Sequence, residues 1–438
     1  MKVKAILKTV AVFAAMAALV ASCSSDKKTS AGGSSGGSAS SSSSADFVAL
    51  GGWKDPACST SQPKVSVGIS EPLEVAGTSL RDYVDGTQAA VDAFNGRGGI
   101  KGRCLDLKVC DGKGDGPTEL SCARSETDDP NVVAGLASTY TLSEGDAYQL
   151  FESSNLPQVG AQVTQPGAWN SPVSYEFSMG GSGTLLADIP ALKNVGVTKF
   201  VVMIPESPQA GALKGFAQPL ISALGMNLID IIGIPPTAVE FTQFVLKAQN
   251  EGAEGIVLGL PGNVAGQILD AMDSLNSQLK VAGSWGTFSQ KSVVSLSEQL
   301  QKNMAFEDAE PPFATDLSRW PVYNVILDDF KASGKSNLTR DNATVQSVVG
   351  WLSVYSLIKV MRDSGATDIT RASVKQAFDQ ATNVPMFNVI PPWTPAKQST
   401  NAIFKGISNP NYWTGHWDAD NKQFVVDDKQ VDILALLG

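Results

Sequence analysis

The sequence predicts an α/β protein made of two doubly wound lobes, each a parallel sheet covered by helices. Short apolar segments of strand length alternate with longer segments of helical periodicity, which is the rhythm of βαβ units. That rhythm runs from residue 64 to 159, meets the glycine-rich stretch Met179-Gly-Gly-Ser-Gly183, and restarts at residue 199. The chain has 438 residues, of which 43% are hydrophobic and 17% charged. That is long enough for two cores and too apolar for a disordered polyelectrolyte.

Taken in order, residues 64–70 read as a strand, and Leu80, Val84, Val91 and Phe94 share the apolar face of the next helix. Gly96-Arg-Gly-Gly99 stops that helix, and residues 104–110 alternate as a second strand. Pro117 suits a first helical turn, so a helix runs from there to Asp128. A strand at 132–136, a helix at 142–154 and a strand at 156–159 complete the first unit. Beyond the glycine-rich stretch, read as a hinge, strands fall at 199–204, 226–231, 255–260 and 280–282. Helices fall at 209–224, 241–250 and 264–275, then at 318–332, 344–364 and 371–380. From Thr382 to Gln423 the chain is rich in Pro, Trp and Asn and shows no period.

The amino terminus reads as an address. Lys2, Lys4 and Lys8 precede an apolar run from 9 to 21 that is short for a membrane span, which is the pattern of a secretory signal. Val20-Ala21-Ser22-Cys23 resembles a bacterial lipobox, making Cys23 the expected lipidated residue after removal of residues 1–22. The Ser- and Gly-rich stretch to residue 46 reads as a flexible tether. An exported, lipid-anchored protein on the outer face of the cytoplasmic membrane follows. The remaining cysteines, Cys58, Cys104, Cys110 and Cys122, are even in number and suggest two disulfides with three possible pairings. The favoured pairing joins Cys110 to Cys122 on the following helix and leaves Cys58 with Cys104.

Composition excludes several classes of function. A net charge of −10 argues against nucleic acid as a partner. A single histidine, His416, removes most triads and zinc sites, and its aromatic surroundings suggest a packed or hydrogen-bonded structural role. Neither a phosphate-binding Gly-x-x-x-x-Gly-Lys-Ser/Thr loop nor a Gly-x-Ser-x-Gly elbow occurs. No metal, cofactor or catalysis is expected. The acidic pairs Asp128-Asp129, Asp328-Asp329 and Asp427-Asp428 read as solvated.

Open parallel sheets bind ligands beyond the carboxyl ends of their strands. Applied to the first unit, that rule singles out Glu71, Ser138, Thr139, Tyr140, Gln162 and Thr164. In the second it singles out Glu206, Asn263 and Trp285. Hydroxyls and amides ahead of helices suit a small anionic or zwitterionic solute, and Ser138 and Thr139 also suit ordinary helix capping.

Several segments carry a family resemblance. They are Gly86-Thr-Gln-Ala-Ala-Val-Asp-Ala-Phe-Asn95, Gly98-Gly-Ile-Lys-Gly-Arg103, Cys110-Asp-Gly-Lys-Gly-Asp115, Ala134-Gly-Leu-Ala-Ser-Thr139 and Thr164-Gln-Pro166. In the second half, Glu240-Phe-Thr-Gln-Phe and Gly252-Ala-Glu-Gly-Ile-Val-Leu join them. In order and spacing, the chain from Val65 to Phe404 resembles the type I solute-binding proteins of ABC transporters, branched-chain amino acid (leucine/isoleucine/valine) subfamily. The resemblance implies two lobes, crossed three times by the chain, that close on a small solute and present it to permease subunits. The lobes would be residues 47–178 with 312–382, and 179–311 with 383–438, in a monomer. It also implies that Ser138, Thr139, Gln162 (through its backbone N–H) and Thr164 hold a ligand carboxylate. A sensor of the same fold, reporting to a membrane signalling partner, is the alternative.

Two departures bear on the solute. Ala210-Gly211 stands where amino-acid-binding members carry Tyr-Gly. The loop at 283–290, which supplies their acid for the ligand ammonium, has no Asp or Glu. Unless Glu71 or Glu206 substitutes, a simple α-amino acid fits poorly. Trp285 and Tyr140 are candidates to clamp an aromatic or extended apolar solute, with a place in the core as the equal alternative for Trp285. The expected solutes are amino-acid-like molecules, carboxylates, amides or aromatics.

Overall fold

A computed structural model describes residues 42–73, 80–206, 210–235, 237–288 and 290–437. The signal, Cys23 and most of the tether lie outside the described residues. Residues from Ser40 onward form one compact unit.

A helix at Ser42–Ala49 (α1) precedes β1 (Val65–Glu71), α2 (Arg81–Gly96), β2 (Leu105–Asp111) and α3 (Gly116–Asp128). Next come β3 (Val132–Leu136), α4 (Glu144–Ser153), β4 (Gln158–Val159), α5 (Pro166–Trp169) and β5 (Ser174–Tyr175). These strands form a five-stranded parallel sheet in the order β2-β1-β3-β4-β5.

The second series is α6 (Gly180–Asn194), β6 (Lys199–Pro205), α7 (Ala210–Ala223), β7 (Asn227–Ile234), α8 (Thr242–Asn250) and β8 (Gly255–Leu258). It continues with α9 (Gly262–Ser274), β9 (Lys280–Ser284), α10 (Gln290–Val294), α11 (Glu298–Gln301) and β10 (Met304–Asp308). Three helices follow, α12 (Val322–Ala332), α13 (Val345–Asp363) and α14 (Arg371–Gln380). The chain ends with β11 (Asn411–Asp418), β12 (Gln423–Val426), β13 (Val431–Asp432) and α15 (Ile433–Leu437). The second sheet runs β12-β11-β10-β9-β8-β6-β7, with β13 against β11. Its members from β10 to β7 are parallel, while β11 is antiparallel to β10 and β12.

The chain passes between the sheets three times. It leaves the first after β5, since α6 lies against β8, β9 and β10, and returns after β10, since α13 lies against α2 and α14 against β3. It crosses again before β11. Helices α2 and α13 approach unusually closely: a β-carbon on Gly86 would lie 2.2 Å from Ser347 O, and one on Gly350 would lie 2.5 Å from Tyr83 O. That intimacy fixes the start of α2, and with it Tyr83.

The expected disulfides are present, Cys58–Cys104 and Cys110–Cys122. The stretch read as a hinge lies at the first crossing between the sheets, where it opens α6, with Gly180 at φ +59° and a β-carbon there 1.9 Å from Val163 O. Other expectations need correction. The end of the tether is helical, because Phe47 is fully buried among Trp53, Phe94, Trp351 and Tyr355. The aperiodic tail contains β11, so the second sheet is mixed. Asp329 is not solvated: Arg97 donates to its two oxygens at 2.8 and 2.7 Å, and Trp351 Nε1 donates at 2.9 Å. His416 is exposed on β11 opposite Ala305, and is not packed.

Candidate functional site

The strands of the first sheet end at loops tied to one another. Glu71 closes β1 and is fully buried, and Thr139 Oγ1 donates to its Oε1 at 3.1 Å. Thr139 N donates to Ser70 O at 3.0 Å, and Ser138 Oγ accepts from Ser70 N at 3.1 Å. The loop after β3 is thereby stitched to the end of β1, which brings Glu71, Ser138 and Thr139 together. The other Glu71 oxygen, Oε2, has no hydrogen-bond partner. Burial holds this carboxyl well above its ordinary range, Thr139 opposes the shift, and Glu119 adds to it.

From the second sheet comes an acidic run at the end of β10, Glu307-Asp308-Ala309-Glu310. Asp308 is held by Ser284 Oγ at 2.6 Å and Ala309 N at 2.8 Å. Trp285 Nε1 donates to Glu310 O at 2.7 Å, and Tyr323 Oη donates to Pro311 O at 2.6 Å. Glu307, Glu310 and Asp188 of α6 are buried, and their desolvated carboxyls are all pushed well above the usual range. Burial raises Asp308 to about 6, and its hydrogen bonds hold it down.

Tyr83 links the two halves. Burial is the main cause of its raised phenol pKa, and Glu71, Asp308 and Glu310 add to it, so all three carboxyls lie within its electrostatic reach. Tyr323 is acted on likewise by Glu310 and Asp308. At Gly286, after β9, a β-carbon would lie 2.9 Å from both Asp308 Oδ2 and Val345 Cγ2, so this loop meets α13 at the junction. Carboxyl ends of strands from two sheets thus meet around buried acids and phenols.

The other predicted residues sit differently. Tyr140 turns into the first core, its hydroxyl donating to Glu126 at 3.2 Å and its ring edge-on to Phe151. Trp285 is buried near Phe424 and braces the Glu310 backbone, so these two side chains form no aromatic clamp. The backbone N–H of Gln162 donates to Ser138 O at 3.1 Å and so is already used within the loops. Both donors of Thr164 go to Glu144, N at 2.7 Å and Oγ1 at 2.6 Å, and burial pushes the Glu144 carboxyl up to about 7. Glu206 and Asn263 share a separate, mainly apolar cleft of about 360 Å³ with Phe241 and Leu260. Sequence reasoning missed Tyr83, Asp308, Glu310 and Tyr323. The signal was available: Met304-Ala-Phe before the acidic run is a short strand, and the carboxyl-end rule applies to it.

Two α/β sheets crossed three times by the chain, with polar loops meeting at their carboxyl ends, define a two-lobed binding protein. The periplasmic binding protein family matches residues 64–403, and the chain belongs to it. It is 24% identical over 311 residues to Leu/Ile/Val-binding protein homolog 3 of Brucella melitensis biotype 1, covering 66% of this chain and 83% of that one. Among solved structures, the fatty acid ABC transporter substrate-binding protein from Thermomonospora curvata superposes with a TM-score of 0.70 at 15% identity, over 87% of this chain and 95% of that one. A branched chain amino acid ABC transporter from Thermus thermophilus with bound valine gives 0.69 at 14% identity, over 86% and 98% of the two chains. A solute binding protein from Rhodopseudomonas palustris HaA2 in complex with p-hydroxybenzoic acid gives 0.68 at 13%, over 85% and 98%. The shared architecture is the type I periplasmic binding protein fold.

Proposed function

We propose that this protein is a non-enzymatic, monomeric solute receptor held outside the cytoplasmic membrane by a lipid on Cys23, and that it delivers a small solute to the permease of an ABC importer. The observation that carries the reading is the buried polar junction built from the carboxyl ends of two separate sheets. Its two walls belong to bodies joined by three strands of chain, so opening exposes the acids and closing removes a captured solute from water. The proposed lobes are 47–178 with 312–382, and 179–311 with 383–438. Names of the similar proteins span branched-chain amino acids, fatty acids and p-hydroxybenzoic acid, which supports a small organic solute without choosing its class.

Native mass spectrometry of the chain from Ser40 onward, purified without denaturation, tests the proposal. One small molecule per chain, released on unfolding, is the expected result. A chain that is empty, and that no member of a broad metabolite library stabilises against heat, would overturn the receptor reading.

A further inference from the structure

The class of solute follows from which hydrogen-bonding groups at the junction are committed and which are open. Resting on the receptor reading above, we propose that the solute is a cationic organic amine whose ammonium is received by Glu71 of one sheet and Glu310 of the other.

The donors of Thr139, Gln162 and Thr164, which would suit a ligand carboxylate, are already engaged. Thr139 gives its hydroxyl to Glu71 and its N–H to Ser70, Gln162 gives its N–H to Ser138, and Thr164 gives both donors to Glu144. Acceptors are in the opposite condition. Among the described residues, Glu71 Oε2 and Glu310 Oε1 have no partner, on residues that are 0% and 3% exposed. Thr139 anchors the Glu71 carboxyl, and Trp285 anchors the backbone that carries Glu310. Once deprotonated, these two carboxyls offer acceptors alone, which is the complement of an ammonium group.

Charge points the same way. Among the described residues, the groups acting on Glu71, Asp308 and Glu310 are other carboxyls and neutral hydrogen-bond donors, with no lysine or arginine among them. Two buried carboxylates without a cation are costly, because each desolvated charge goes uncompensated. They therefore stay protonated until a cation arrives, and an ammonium that displaces those protons restores a charge pair in place of the buried neutral acids. Glu307, both of whose oxygens lack partners, and Asp188 on α6 extend the acidic surroundings behind Asp308. No group of three or more His, Cys, Asp or Glu among the described residues is arranged to hold a metal ion. An organic ammonium needs only one or two such partners, and the adjoining rings of Tyr83 and Tyr323 suit it.

The inference also accounts for a departure seen in the sequence. The loop at 283–290 has no acid, and the ends of β1 and β10 supply carboxyls in its place.

The test uses the chain from Ser40 onward, unfolded, dialysed free of solutes and refolded. Calorimetry and thermal shift then compare 1,4-diaminobutane and spermidine with L-leucine and 4-hydroxybenzoate, on the wild type, Glu71→Gln and Glu310→Gln. An amine is expected to bind best, with affinity falling about tenfold or more in each variant, the loss of one charged contact. Amine affinity is also expected to rise with pH as the carboxyls give up their protons. Melting temperatures of the unliganded variants report that they fold. Preferential binding of L-leucine or 4-hydroxybenzoate, or amine binding indifferent to both substitutions, overturns the amine and leaves the receptor standing. Failure of all four probes, together with an empty protein in native mass spectrometry, overturns both.

Discussion

Replacing Glu126 by glutamine is predicted to help the protein increasingly as pH rises. Glu126 lies on α3, is 4% exposed, and accepts from the Tyr140 hydroxyl at 3.2 Å through one oxygen, while the other has no partner. Burial pushes its carboxyl from 4.5 to about 8, against the opposing pull of Tyr140 and Arg371. Because the folded value is raised, the unfolded chain gives up this proton first. The stability that the neutral carboxyl contributes is complete below 4.5 and drains away as pH climbs to about 8. At about 1.4 kcal/mol per pH unit, the loss between about pH 5 and about pH 7.5 comes to about 3 kcal/mol. Glutamine does not titrate and escapes that loss, although its amide lacks an acceptor and costs about 1–3 kcal/mol at every pH. Urea unfolding of both proteins at the two pH values therefore gives a difference that moves about 3 kcal/mol in favour of Glu126→Gln. A difference that stays constant with pH would refute the raised carboxyl and the burial argument behind it.

Three further outcomes follow from the same physics. Arg97→Met removes the cation from a buried bidentate pair with Asp329, and should cost about 3–5 kcal/mol in denaturant unfolding, much of it recovered when Asp329→Asn is added. Gly180→Ala forces a side chain into a left-handed backbone and against Val163 O, and a loss of about 2–3 kcal/mol is expected in thermal unfolding. Cys110→Ser combined with Cys122→Ser opens a bridge spanning 12 residues, which should lower stability by about 3 kcal/mol in non-reducing denaturant melts.

Much of the fold was legible because buried parallel strands leave plain apolar runs. The segments at 132–136 and 371–380 coincide with β3 and α14. What escaped has identifiable causes. That the glycine-rich stretch opens α6 was not visible, because the contacts that hold it, with Val163 O and Tyr412 Oη, lie far away in sequence. Strand β11 was hidden because both its faces are buried, Tyr412 and Thr414 on one and Trp413 and Trp417 on the other, which destroys alternation. At the junction, Glu71 was found because it follows an obvious strand. Asp308 and Glu310 were not, because β10 was missed. Tyr140 and Trp285 were visible as aromatics at strand ends, but only the positions of Glu126 and Glu310 decide which way their polar ends turn.

Hydrogen–deuterium exchange tests most directly the claim that solute is captured where the two sheets meet. The solute-free refolded chain is compared with the same chain after the released solute fraction is returned. The account predicts slowed exchange at residues 71–73 and 138–140 of the first sheet and, at matching solute concentration, at residues 285–288 and 308–310 of the second. Slowing confined to the cleft of Glu206 and Asn263, or to loops of one sheet alone, would contradict it.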